Sequence, residues 1–430
     1  MDKPSLREKV DSCKLKPVNK LKFRVMVGVA NTLFKKKLGV SFHYADDIKP
    51  YRGKPYIVVS NHASREDYVF TAPAFWPDTF NFVVGYNEFF RSHLHGVLTQ
   101  MQTVPKKNFT KQPHSIRQIL RIIREGGRII LLPEGMSSIS GANQPCALGS
   151  GHLLKSLGVP VLYTKISGGY LTAPKYNLTD RVGRVDIEAG VLFTPEQLED
   201  MTAEEIQSQL DEKLYHDDYE WNKTARVRFD AAGRMADNMH QLLFWCPRCG
   251  GELTMTSGGD AIRCRKCGNG GHLNEYYDLI PDEGSTLPDT PRVWFDMQRE
   301  HVRSMVRQEG FTLSERVQLG VLPQHGYLKE QKTSEITGDG TLTLDAGGLH
   351  FEGRKAGEPY SFFIPIKKLP TYGMCTDVSR FYTFVDGEFT EFYPERDSTE
   401  LWMMATEEMH RAQGGLWQDF PWKEQAEARG

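Results

Sequence analysis

The stretch YIVVSNHASREDYVF, residues 56–70, sets an apolar run against a histidine and, five positions on, an aspartate. YIVVS has the length and β-branched content of a buried strand, and SREDYVFTAPAF has the apolar spacing of a helix. His62 therefore falls in the loop between the two. Ser64 is placed to cap the helix with Asp67 as its third residue, as in a capping box with Asp in place of Glu. From that first turn the Asp67 carboxylate can fold back on His62, fix its tautomer and leave the other ring nitrogen as a base. The helix N-terminus adds a positive end suited to an anion or a developing oxyanion. With thirteen histidines in the chain, an aspartate five positions after one of them is close to chance expectation, so the pair takes its meaning from its surroundings.

Outward from this stretch the alternation continues. FNFVVG is followed by NEFFRSHLHGVL, SIRQILRIIREGG leads into RIILLPEG, and GHLLKSLG leads into VPVLYTKI. Short β-rich runs separated by helices of 3.6-residue period predict an α/β sheet domain over 46–243, closing in an acidic helical stretch from 194 to 242. Residues 281–330 read as a connector, Pro-rich at its start and then helical. From 331 to 420 apolar and polar residues alternate between Gly/Asp turns, as in GTLTLDAGGLHFEGRK and FYTFVDGEFTEFYP. That pattern predicts antiparallel strands, closed by a helix STELWMMATEEMHRAQ with Ser398 at its N-cap. Several short strands and one helix suggest a small barrel similar to pleckstrin-homology or GRAM-type modules.

Charge is unevenly distributed. The 430 residues carry a formal net charge of −2, which makes no case for a nucleic-acid partner. Residues 1–40 hold eleven Lys/Arg against three acids, +8, leaving −10 for the remainder. A basic segment over 1–45 on an acidic body points to an anionic membrane surface. Within it NKLKFRVMVGVANTLFKKKLG, residues 19–39, has a short apolar centre between lysines and suits either an interfacial helix or a basic helix packed on the domain. The sequence shows no signal peptide and no apolar window long enough for a transmembrane helix.

Four of the seven cysteines form two CxxC units, Cys246/Cys249 and Cys264/Cys267, fourteen residues apart. CPRCG and CRKCG turns point backbone amides at thiolates, and four sulfurs suit a closed tetrahedral Zn²⁺ site in a reducing, cytoplasmic compartment. Iron is the rival metal for this donor set. The ribbon spans 244–280.

Four blocks between residues 58 and 176 resemble, in order, the signature of the glycerolipid acyltransferase family, which includes the lysophosphatidate acyltransferases. They are Asn61-His62-x4-Asp67, MQTVPKK, LLPEGMSS and GVPVLY, the last leading to SGGYLTAPKY. The resemblance implies acyl transfer from acyl-CoA or acyl-carrier protein to a lysophospholipid hydroxyl, 1-acyl-glycerol-3-phosphate foremost, at the inner face of the cell membrane. It makes His62 the base and Asp67 its orienting partner. Glu134, Gly135 and Ser138 then shape the acceptor site, and Lys106 or Lys107 neutralises phosphate. The sequence departs from the family at two cations: lysine stands where the second block has arginine, and Ser137 where the third does. A lysine is a point charge without the bidentate fork of arginine. Cys146, shortly after the Pro-Glu-Gly block, is a rival nucleophile, and a silent adaptor binding through the ribbon and β module is the alternative to an enzyme.

Overall fold

The computed structural model describes residues 4–35, 38–110, 113–179, 181–329 and 332–416. The first three residues of the basic segment, Lys36 and Lys37 of the 19–39 helix candidate, and 417–420 of the β-rich module lie outside them.

The strand–helix alternation around His62 builds a seven-stranded mixed sheet. Its strands are β1 (Leu38–Tyr44), β2 (Ile57–Ser60), β3 (Asn81–Gly85), β4 (Val104–Lys106), β5 (Ile129–Leu131), β6 (Val161–Ser167) and β7 (Gly183–Phe193). They lie in the order β1-β7-β6-β2-β5-β3-β4. The five strands β2 to β6 are mutually parallel where they pair, β7 runs against β6, and β1 is parallel to β7. All four residues of β2 are buried, as expected for a parallel strand covered on both faces. Alternation sends Ile57 and Val59 to a core with Ile119, Ile122, Leu154, Ile206 and Leu210. Val58 joins Phe23, Phe75, Phe80 and Leu162 on the other face. In such sheets the space beyond the carboxyl ends of the strands is where side chains from several loops converge. β2 lies between β5 and β6, so the loops after these three strands meet there.

The helix Lys20–Lys35 rests on this sheet through the fully buried Phe23, while Leu21, Val25 and Val29 stay exposed. Among the described residues no helix is long and apolar enough to cross a membrane.

A four-stranded antiparallel sheet follows, β8 (Met255–Gly258), β9 (Ala261–Cys264), β10 (Gly270–Leu273) and β11 (Leu279–Pro281). The helix Pro291–Val306 then leads to a third, wholly antiparallel sheet. Its strands are β12 (Leu313–Val321), β13 (Glu335–Leu344), β14 (Gly348–Lys355), β15 (Glu358–Pro365), β16 (Gly373–Met374), β17 (Phe381–Val385) and β18 (Glu388–Pro394). Their order, β15-β14-β13-β12-β18-β17-β16, leaves the two edges unpaired with each other, so the expected small barrel is an open, curled sheet.

The helix Thr399–Ala412 closes the chain's described part. Every residue from Thr399 to His410 is buried, because the helix packs against the helix Pro291–Val306 as well as its own sheet. Ser398 does not cap it. Its hydroxyl donates instead to Glu315 Oε2 at 2.7 Å. One continuous core runs from Met136 and Tyr170, in the segments after β5 and β6, through Cys246 and Trp294 to Trp402 and Met409, joining that end of the α/β domain to the second and third sheets.

Candidate active site

The loop after β2 is tied to the end of β6 before it reaches His62. Asn61 Oδ1 accepts from the Ile166 N–H at 2.7 Å, and its Nδ2 donates to the Ile166 carbonyl at 2.9 Å. His62 Nδ1 then lies 2.7 Å from Asp67 Oδ2, with the imidazole about one-fifth exposed and the carboxylate 1% exposed. Asp67 Oδ1 accepts from both the Ser64 N–H (2.9 Å) and its hydroxyl (3.1 Å). Burial pushes the Asp67 carboxyl up from its usual range, and the bonds from His62 and Ser64 pull it back. With Nδ1 facing Asp67, the imidazole Nε2 is the nitrogen left for a substrate proton.

The helix begins later than the capping pattern predicts, at Asp67, with Glu66 in the cap position. Half the box forms. Asp67 reaches back to the Ser64 N–H, but the Ser64 hydroxyl accepts from the Glu66 N–H at 3.2 Å rather than from Asp67. Gly169 completes the packing behind the pair, since a Cβ there would meet the Ala63 Cβ at 2.9 Å.

Glu134 joins the loop after β5 to this arrangement. Its Oε1 accepts from the His62 N–H at 2.6 Å and its Oε2 from the Gln144 N–H at 2.9 Å. It is 2% exposed, and burial pushes its carboxyl up to about 8 against those two bonds. Gly135 adopts φ +80°, the left-handed region that glycine enters without strain. Ser138 is buried and internal to the loop: its N–H donates to the His62 carbonyl (2.7 Å), and its hydroxyl donates to the Ala142 carbonyl and accepts from Gly141. Glu134 and Ser138 thus grip the His62 backbone from one side, and Ser138 is a loop tie rather than a group open to substrate.

The two candidate phosphate lysines separate. Lys106 ends β4, half-buried, and burial lowers its pKa. Lys107 turns toward the C-terminal sheet, with its ammonium 4.6 Å over the Tyr86 ring, 3.4 Å from the Gly387 carbonyl and 3.9 Å from Asp11. Cys146 is fully buried, its N–H donating to Asp211 Oδ1 at 2.6 Å, and burial reinforced by Asp211 and Glu134 holds its thiol well above the ordinary range. A thiolate nucleophile has no support there.

Sequence reasoning passed over Lys175. The loop after β6 is held by buried Asp218, which accepts from the Gly168 N–H at 2.7 Å and the Tyr170 N–H at 2.8 Å. It delivers the Lys175 ammonium to 2.9 Å from Ser137 Oγ. The only signal was the position of SGGYLTAPKY after the carboxyl end of β6.

The four ribbon cysteines do converge. Cys246 Sγ lies 3.6 Å from Cys267 Sγ, Cys249 Sγ lies 3.8 Å from Cys264 Sγ, and all four sulfurs fall within 4.8 Å of one another. Sulfurs about 2.3 Å from a tetrahedral zinc stand about 3.8 Å apart, so the donor set fits the ion. The Lys266 N–H adds a bond to Cys264 Sγ at 3.4 Å.

Comparison with known proteins bears on the first domain. A family model described as Acyltransferase matches residues 39–166, a stretch containing His62, Asp67 and Glu134 and ending before Lys175. The match supports acyltransferase chemistry in the α/β domain. Among solved structures, the chain is similar to the 1-acyl-sn-glycerophosphate (LPA) acyltransferase PlsC from Thermotoga maritima. That similarity has 19% sequence identity and a TM-score of 0.39, over 49% of this chain and 83% of that one. The comparison with curated proteins gave no match.

Proposed function

We propose that this protein transfers a fatty acyl group from an acyl-CoA or acyl-carrier-protein thioester to the hydroxyl of a lysophospholipid, with 1-acyl-glycerol-3-phosphate as the foremost acceptor. The observation that carries the reading is the 2.7 Å contact between His62 Nδ1 and a buried Asp67 whose other oxygen is held by Ser64. His62 Nε2 takes the acceptor hydroxyl proton as the oxygen attacks the thioester carbonyl. The C–S bond then breaks, and the imidazolium returns its proton to the departing thiolate. Asp67 fixes the tautomer and balances the imidazolium charge. Lys106, which makes no ion pair among the described residues, faces the acceptor side in this reading.

The exposed stripe Leu21, Val25 and Val29 on a lysine-bearing helix supports peripheral docking on an anionic bilayer. That helix contacts the helix Asp67–Thr71, which brings the surface close to the site. The cysteine cluster holds a structural Zn²⁺ whose role is to fold the ribbon.

The test is acyl transfer by the purified protein, read as thioester consumption with a panel of lysophospholipids. His62→Ala should lose roughly 10²–10⁴-fold in rate with an unchanged melting temperature. Wild-type turnover in that variant would remove the catalytic assignment of His62, and no thioester consumption by the wild type with any acceptor would leave the adaptor reading.

A further inference from the structure

Lys175 is 6% exposed, and among the described residues its ammonium has one hydrogen-bond partner, the hydroxyl of Ser137. No carboxylate lies within ion-pair distance of it among the described residues. An ammonium has three donors, and a buried cation without a counter-charge carries a desolvation cost that the single Ser137 hydroxyl offsets only in part. Two acids of the C-terminal module, Glu400 and Asp377, and the Cys375 thiol act on it from farther away, and Arg65 adds a second positive charge. Both Glu400 carboxylate oxygens are buried without a hydrogen-bond partner, so that acid does not close on the lysine. Burial lowers the Lys175 pKa to about 8, which leaves it cationic at neutral pH. Ser137, on the loop that carries Glu134, is half-buried, so its side of this pair is partly open to solvent. A cation, a hydroxyl and a neighbouring arginine around such an opening fit a compact dianion.

Resting on the acyltransferase reading above, we propose that Lys175 and Ser137 hold the phosphate monoester of the acceptor. The cation comes from the loop after β6, across from the Pro133-Glu134-Gly135 turn. It sits at Ser137, where the resemblance expected an arginine.

Glycerol 3-phosphate serves as the probe, with glycerol as the neutral control, on the full-length protein. Glycerol 3-phosphate should raise the melting temperature of the wild type and of His62→Ala, and glycerol should not. Lys175→Gln should need at least about tenfold more ligand for the same rise, the scale of one charge-assisted contact. In acyl transfer, Lys175→Gln should raise KM for 1-acylglycerol 3-phosphate while leaving 1-acylglycerol kinetics and kcat little changed. Lys175→Arg should restore the preference. A wild-type response to glycerol 3-phosphate that survives in Lys175→Gln would overturn the proposal. So would no phosphate-dependent response in the wild type, or an equal loss for both acceptors. If Lys175→Gln does not fold, Ser137→Asp decides in its place, because a carboxylate there pairs the lysine and should abolish the response. Absent acyl transfer in a wild type that still shows Lys175-dependent protection would sink the catalytic reading and leave the anion site standing.

Discussion

Glu134 accepts one backbone N–H from each of two loops, with its own carboxyl 2% exposed. A buried N–H left without an acceptor costs about 1–3 kcal/mol, so the carboxylate fixes the His62 main chain as well as lining the site. Glu400 is the opposite case. Its carboxyl is fully buried with both oxygens unpaired. Burial holds it well above the ordinary range, with Glu407 reinforcing that and Arg299 and Lys175 opposing. The unfolded chain releases this proton near pH 4.3, whereas the folded protein keeps it to higher pH. The stability it contributes is therefore complete below the unfolded value and is lost as pH rises through the folded one. Glu400→Gln should remove that slope. Between pH 5 and 8 the wild type should lose up to about 1.4 kcal/mol per pH unit relative to the variant, measured by urea unfolding. Parallel stability profiles for the two proteins would contradict this. At this scale His62, Asp67 and Glu134 were legible through the order of short motifs that carries the family resemblance, and the loops after β2 and β5 bring the three together. Lys175 was not, because its partner lies 38 positions away and no local pattern links them. Lys107 misled for the same reason: its partners Phe384 and Gly387 belong to a distant module.

At the scale of elements, period-2 and period-3.6 patterns located most strands and helices, but they left β1 inside the basic segment, β12 inside the 281–330 connector and a non-helical 226–238 inside the stretch read as helical, and other errors fell at element ends. Ser64 and Ser398 were read as caps from residue type alone, yet both hydroxyls found other partners. A cap depends on the φ/ψ of its own residue and on which carboxylates approach, and neither is written locally. The helix Lys20–Lys35 meets the packing reading of its pattern and leaves an exposed apolar stripe of the kind the interfacial reading requires. Phe23 is fully buried against the sheet, while Leu21, Val25 and Val29 line a separate exposed stripe at four-residue spacing. Val25→Asp/Val29→Asp should leave the fold intact and weaken partition onto anionic vesicles by about tenfold or more, from lost apolar burial and added repulsion. Co-sedimentation with phosphatidylglycerol vesicles measures it. Unchanged partition in the double variant would assign the helix to packing alone.

For the molecule as a whole, domain-like composition changes along the sequence hid a shared interior. The ribbon's Cys246, Met255, Ile262 and Cys264 pack in the same cluster as Tyr170 of the first domain and Trp402 of the last helix. Apolar patterning tells which residues are buried but not what they are buried against, so three patterned segments read as three units. Zinc removal should therefore spread beyond the ribbon. Treatment with a strong chelator should lower the melting temperature of the entire protein in one transition, by far more than loss of a peripheral knuckle, in scanning calorimetry. Two separable transitions, with only a minor one sensitive to metal, would show the ribbon to be energetically independent.

The burial of the helix Thr399–Ala412 on all sides has a further consequence for biosynthesis. Met136 and Tyr170 emerge from the ribosome long before Trp402 and Met409, the last residues of the same core. The α/β domain can pair its strands during translation, but the core it shares with the ribbon and the third sheet stays incomplete until the final helix is released. A nascent chain stalled before residue 399 therefore presents an apolar surface suited to chaperone capture.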